Sequence, residues 1–193
     1  MKIIDHLIPL DIQNELEKNI LDARFPWGFS LSSDLGSKAS YEYVKSKRQQ
    51  FHNDDIVDPG QFYHNILIDQ KPGQFFGWFA PILDAINFEG MRILRMKMNF
   101  NYPLIGIKKS THGIPHVDLP TENDYTTAIY YVTDADGDTI LFNEKNGHEG
   151  PLTINERVVP KKGRIVLFDG NTLHAACSPT NNNPRIVVNI NIK

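Results

Sequence analysis

The sequence predicts an α+β, mainly β fold, in which a helical lead-in feeds an antiparallel sandwich or small barrel. Three observations carry that expectation. The first half of the chain holds amphipathic helical periodicity. The second half is a series of short runs rich in β-branched and aromatic residues. Clusters of Gly, Pro and Asn separate those runs.

Taken in order, "LDIQNELEKNILDAR" places Ile12, Leu16 and Ile20 at a spacing of four, with Asp11 positioned to cap the amino end of a helix. A polar stretch follows over 30 to 60 with weak periodicity. The aromatic run "QFFGWFAPILDAINFEG", residues 74 to 90, feeds a second helix expected to stop near Gly90, and its aromatics read as core. Beyond Gly90 the texture changes. "MRILRMKMNF" alternates Met96, Met98 and Phe100 against Lys97 and Asn99. "TTAIYYV", "DTILFN", "RIVLFD" and "RIVVNINI" follow, divided by "DADGD", "KNGHEGP", "PKKG" and "SPTNNNP". Neither half looks self-sufficient, so the expectation is one domain over 1–193, with 1–90 as helical and mixed lead-in and 91–193 as the β core.

Bulk properties narrow the class. A net charge of −3 with interspersed signs gives no footprint for nucleic acid or an anionic membrane. No run approaches the ~18 apolar residues of a membrane span, and "MKIIDHLIPLDIQNE" lacks the apolar core of a signal peptide. Cys177 is the single cysteine, so no internal disulfide can form, which suits a reducing compartment. The expectation is a soluble, cytoplasmic protein with no membrane and no nucleic-acid partner.

The chemistry gathers around "GIPHVDLP". On an extended strand His116 and Asp118 point to one face, because the side-chain period is two. His174, at the end of the strand pattern "GRIVLFDGN", can complete a site begun by that pair. Two imidazoles and one carboxylate with open opposite positions suit non-haem Fe(II) oxygen chemistry, and zinc remains chemically compatible. Arg185 opens the apolar run "RIVVNINI" with no acidic neighbour in sequence. A buried arginine needs a partner, and a dicarboxylate ligand would supply one through a bidentate fork. His112 reads as a rim residue, because Gly113 and Pro115 forbid the helix that an HxxxH metal pair needs. Cys177 reads as small buried packing.

"HVD", then His174, then Arg185 resembles the His-x-Asp…His…Arg signature of the Fe(II)/2-oxoglutarate-dependent oxygenases. "TTAIYYV", "NYP" at 101 to 103 and "GDT" at 137 to 139 are similar to its prolyl 4-hydroxylase-like branch, with Asp138 where the family often has a second glycine. The resemblance covers roughly 91 to 193. It implies a double-stranded β-helix, the cupin-like jelly roll. It also implies Fe(II), 2-oxoglutarate as co-substrate and O₂, with His116, Asp118 and His174 as catalytic metal ligands. Arg185 and Tyr131 would bind the distal carboxylate of 2-oxoglutarate, Tyr102 would flank the co-substrate, and Asn189 shares the side-chain parity of Arg185. Tyr130 lies on the opposite face from Tyr131, so one of the two serves.

The implied activity is a dioxygenase that hydroxylates an unactivated C–H bond with release of succinate and CO₂. The branch suggests a prolyl or other peptide substrate, although the same barrel accepts small molecules. The alternative is a cupin-like metal protein or enzyme that uses the same three ligands without 2-oxoglutarate.

Overall fold

The computed structural model describes residues 1–32, 41–87, 90–122 and 124–193. The lead-in comprises β1 (Lys2–Ile4), α1 (Leu10–Ile20), β2 (Gly28–Ser30), α2 (Tyr41–Phe51), β3 (Gln61–Ile68), β4 (Lys71–Pro72) and, after a 3-10 turn, α3 (Ala80–Ile86). The remainder is all strand: β5 (Ile93–Asn101), β6 (Thr126–Tyr131), β7 (Thr139–Lys145), β8 (Ile154–Val158), β9 (Ile165–Asp169), β10 (Thr172–Ala176) and β11 (Arg185–Ile192). No helix among the described residues is long and apolar enough to cross a membrane.

Two antiparallel sheets result. The larger has the order β1-β9-β6-β11-β5-β3-β2, with β4 pairing β3, and the smaller has the order β10-β7-β8. From β6 to β11 the chain passes back and forth between the sheets, with β6, β9 and β11 in the larger and β7, β8 and β10 in the smaller, the winding of a jelly roll. The expected sandwich is therefore present. In the mixed lead-in, β1, β2 and β3 are strands of the larger sheet.

Alternation along the strands divides the core into layers. On β11, Ile186, Val188, Ile190 and Ile192 join Met96 and Met98 of β5 and Tyr130 of β6 in an outer core, which α1 and α3 cover with Leu16, Ile20 and Ile82. The opposite row of β11 faces the smaller sheet. There Val187 packs with Ile129, Tyr131, Leu141, Val158, Val166 and Phe168 between the sheets. A third cluster backs the smaller sheet, where Phe51 of α2 meets Ile56, Ile114, Ile140, Phe142, Leu173 and Ala175.

Three local expectations are corrected. Asp11 sits inside the first turn of α1, and Pro9 occupies the cap position without a side-chain hydrogen bond; its fixed φ suits a helix entry. The helix after the aromatic run ends at Ile86, because Asn87 adopts a left-handed φ of 55°. The polar stretch 30 to 60 contains helix α2 at Tyr41–Phe51, whereas 33–40, part of the same stretch, lies outside the described residues.

Gly163 pins the lead-in to the barrel. Its carbonyl accepts from the Leu7 N–H at 2.9 Å, and its N–H donates to the Tyr131 carbonyl at 3.0 Å. It has φ +78°, and an added Cβ would lie 2.3 Å from Gln13 Oε1. Gln13 is buried and donates to the Ile8 carbonyl at 2.7 Å. Gly163→Ala is therefore expected to lower stability by about 1–3 kcal/mol. Gly147→Ala, at φ +85° with open space around it, should lose less. Denaturant midpoints of the two variants, measured side by side, check this.

Candidate active site

His116 and His174 are held together by their own backbones. Each N–H donates to the other's carbonyl at 3.0 Å, an isolated antiparallel bridge at the edge of β10. Gly113 N–H adds a bond to the Ala176 carbonyl at 2.8 Å. The segment around "HVD" is thus a single bridge followed by a bend, where a regular strand was expected. It still brings the side chains together: one ligand atom from each of His116, Asp118 and His174 lies within 4.8 Å of the others.

The imidazoles are oriented for ligation. His116 Nδ1 lies 2.8 Å from the Ile114 carbonyl oxygen, and His174 Nδ1 lies 3.1 Å from that of Thr172. A carbonyl oxygen only accepts, so each Nδ1 carries a proton and each Nε2 is the ring atom left for a further partner. His174 Nε2 is buried, has no hydrogen-bond partner and stands 3.8 Å from Asp118 Oδ2. Burial, reinforced by neighbouring His116, pushes the His174 pKa down to about 4 against the opposing pull of Asp118.

Asp118 is fixed from the other side. Its Oδ2 accepts from Asn191 Nδ2 at 3.0 Å, and its Oδ1 lies 3.4 Å from Asn189 Nδ2 and 3.8 Å from Arg95 Nη1. Arg95 also donates to the Asp118 carbonyl at 3.3 Å. Burial works to raise this carboxyl's pKa. The field of His174, Arg95 and His116, with the Asn191 hydrogen bond, outweighs it and holds Asp118 below the usual carboxylate value. A carboxyl held towards its anion and a His174 ring that burial holds towards its neutral form are the states a divalent cation requires.

Arg185 lies deeper between the sheets, 2% exposed. Nη1 donates to Asn101 Oδ1 at 3.0 Å and Nη2 to Thr139 Oγ1 at 2.7 Å, while Nε has no partner. The guanidinium carbon sits 5.8 Å from the Tyr131 ring centroid. Burial pushes the Arg185 pKa down, yet guanidinium stays charged. No carboxylate among the described residues pairs with it.

The other sequence-predicted residues fall unevenly. Tyr131 shares a 2.6 Å hydrogen bond with Thr139 and so joins the Arg185 cluster, whereas Tyr130 points into the outer core. Asn189 lines the cavity between His174 and Arg185. Tyr102 does not line it; its hydroxyl donates to the Pro59 carbonyl at 2.8 Å. His112 is no rim residue: it is buried, with Asn53 Nδ2 at 3.1 Å from its Nε2 and its ring against Phe142. Cys177 is buried, and burial raises its thiol pKa, in keeping with a packing role. Asp138, at the position where a glycine was noted as usual, pairs with Arg157 at 3.3 Å.

Four residues were missed by sequence reasoning: Asn191, Arg95, Thr139 and Asn101. Asn191 was within reach, since it shares the parity of Arg185 and Asn189 along "RIVVNINI". Arg95 and Asn101 come from β5, which is paired to β11 in register (Asn191 opposite Arg95, Arg185 opposite Asn101). That pairing is not readable from spacing.

Comparison with known proteins agrees with this geometry. Residues 102–193 match the model of the 2OG-Fe(II) oxygenase superfamily. These residues belong to that superfamily. The chain is accordingly a 2-oxoglutarate-dependent dioxygenase, whose co-substrates are 2-oxoglutarate and O₂ and whose metal is Fe(II). No curated protein matches it by sequence. Among solved structures it resembles the epimerase SnoN from nogalamycin biosynthesis, with TM-score 0.62 and 13% identity over 98% of this chain and 76% of that one. It also resembles a prolyl hydroxylase from Trichoplax adhaerens in complex with a hypoxia inducible factor peptide fragment (0.58; 15%; 99% and 82%). A third is a Pseudomonas putida prolyl-4-hydroxylase (0.54; 15%; 100% and 91%). At these identities the structural likenesses speak for the fold.

The residues present fit the groups that the oxygenase family implies. His174 Nε2 is a buried lone pair aimed at Asp118 without a donor, and Arg185 is a buried cation without an anion. Each is costly alone, and a metal and a carboxylate respectively would relieve it.

The pKa of His174 gives a pH prediction. In the metal-free protein the unfolded chain takes up a proton near pH 6.5, while the folded site resists it until about pH 4. Stability is therefore full above pH 6.5 and falls as pH drops towards 4, by roughly 3 kcal/mol for a shift of that size. Below that, Asp118, with its depressed pKa, adds a further loss as it protonates. Urea unfolding in chelator from pH 7 to 4 should show the decline, and His174→Gln should flatten it.

Proposed function

We propose that His116, Asp118 and His174 hold Fe(II), that Arg185 receives the distal carboxylate of 2-oxoglutarate, and that the enzyme hydroxylates an unactivated C–H bond. The observation that carries this reading is the pairing of two unmet demands in one cavity. An open set of metal ligands stands at one end, and the unpaired, fully buried guanidinium of Arg185 stands at the other. A cupin-like protein using only the metal would have no use for the second.

When bound, Fe(II) and 2-oxoglutarate supply O₂ activation, coupled to oxidative decarboxylation of the co-substrate to succinate and CO₂. The chain's own residues do the positioning. The Nδ1 protons of His116 and His174, tied to the Ile114 and Thr172 carbonyls, keep both Nε2 atoms free. Asn191 and Arg95 restrain Asp118, and Asn101, Thr139 and Tyr131 aim the Arg185 fork. Ile129 and Val187 close the apolar wall between the two ends and exclude water. Residues 1–193 serve as one domain, since the outer core joins α1 and α3 to β5, β6 and β11. A peptide substrate, prolyl or otherwise, is supported by the likeness to prolyl hydroxylases, one of them bound to a peptide fragment.

The test is an anaerobic titration with Fe(II) and then 2-oxoglutarate, followed through the visible charge-transfer band of the chelate. A band requiring both components is expected, and His174→Ala should abolish it. Arg185→Ala should raise the 2-oxoglutarate needed for half-formation by roughly 100-fold, the weight of a charge-assisted pair. Folded, iron-loaded wild type without a band would overturn the co-substrate assignment. Thr139→Val removes one acceptor from the Arg185 fork and the partner of Tyr131. It is expected to weaken 2-oxoglutarate binding by about tenfold, leaving Fe(II) affinity unchanged in the same titration.

A further inference from the structure

We infer that the primary substrate presents a carboxylate to Lys97, on a polar shelf that runs from the metal triad along the larger sheet. The inference rests on the oxygenase reading of the site and names the class of molecule that reaches it.

The inner row of β5 is Arg95, Lys97, Asn99 and Asn101. The outer members are already used: Arg95 restrains Asp118, and Asn101 accepts from Arg185. Lys97 stands between them, directly opposite Asn189 on β11, whose amide reaches Asp118. Residues opposed in an antiparallel pair carry their side chains on the same face, about 4.5–5.5 Å apart at Cβ. Lys97 is therefore next to the cavity and beside its metal-binding end, without being a ligand of the metal.

Its surroundings are built for a charge, yet the nearest anion, Asp118, acts on it only at a distance. The side chain is half-buried, with Nζ 5.0 Å from the centroid of the Tyr63 ring on β3. No carboxylate among the described residues forms an ion pair with it. Each neighbouring cation has its counter-charge: Arg95 has Asp118, and Arg185 has the co-substrate. Lys97 alone is left over. Burial and Arg95 depress its pKa to about 8 against the weaker pull of Asp118, a penalty that an incoming anion in direct contact would relieve.

The shelf is open on the substrate side. The apolar packing between the sheets draws on β6, β7, β8, β9 and β11 and on nothing from β3 or β2. On β3, Tyr63 is half-buried and Asn65, opposite Lys97, is exposed. Two buried amide oxygens flank the lysine without a donor, Asn99 Oδ1 and Asn189 Oδ1. One ammonium beside two free acceptors matches a monoanion that carries an N–H, the pattern of an N-acylated amino acid. A phosphate dianion would call for more donors than this row has to spare.

The experiment compares N-acetyl-L-alanine and N-acetyl-L-leucine with their carboxamides. Binding is read by ligand-observed NMR on protein loaded with Zn(II) and saturating 2-oxoglutarate. The free acids should bind wild type at least about tenfold more tightly than the amides, the range of one charge-assisted hydrogen bond. Lys97→Met should erase that preference, and Lys97→Arg should keep most of it. Acids and amides binding wild type alike, or an acid preference that survives Lys97→Met, would overturn the inference. So would a changed charge-transfer band in Lys97→Met, since the lysine would then act through Asp118. If wild type with Fe(II) forms no band at all, the oxygenase reading fails on its own, and the acid–amide contrast in metal-free protein still reports on Lys97.

Discussion

The site depends on burying one charge at each end of a narrow space between two sheets. Asp118 and Arg185 are both removed from water, and they do not pair with each other. Desolvated charges of this kind are tolerated only where other groups compensate them. Around Asp118 the compensation comes from Arg95, Asn191 and the two imidazoles; around Arg185 it comes from neutral oxygens of Asn101 and Thr139. The second set leaves a net positive charge, so the cavity is electrostatically complete only with an anion inside.

That constraint explains how the sheets share the labour. The larger sheet brings the polar row, because β11 is buried on both faces and can place Arg185, Asn189 and Asn191 inward while its isoleucines and Val188 face the helices. The smaller sheet brings the two histidines, because the His116–His174 bridge extends it by one short segment beside β10. Thr139, at the start of β7, is the link between them: its hydroxyl meets both Arg185 and Tyr131. The apolar layer of Ile129, Leu141, Val166 and Val187 then fixes the spacing of the two sheets, and with it the geometry of the site. Asymmetry in coverage gives the site its direction. The inter-sheet core ends at β11, whereas the larger sheet continues through β5, β3 and β2. Its inner face there is polar, and a substrate reaching the triad from that side meets amides and a lysine.

Much of this is legible in the sequence. The period-two patterns named the strands, "HVD" named two of the three side chains that converge at one point, and the costly position of Arg185 in an apolar run pointed to an anionic partner. These are local properties, set by side-chain alternation and by the free energy of burying charge, so the sequence by itself determined them. The tertiary structure decided what depends on register. Only the pairing of β11 with β5 puts Arg95 near Asp118 and Asn101 beside Arg185, residues 23 and 84 positions apart in the chain. Only the folded loop shows Tyr102 turned to Pro59 and His112 buried against Phe142. A strand's pattern tells which face a side chain takes; it does not tell which strand lies alongside, because that choice is made by the packing of the whole core.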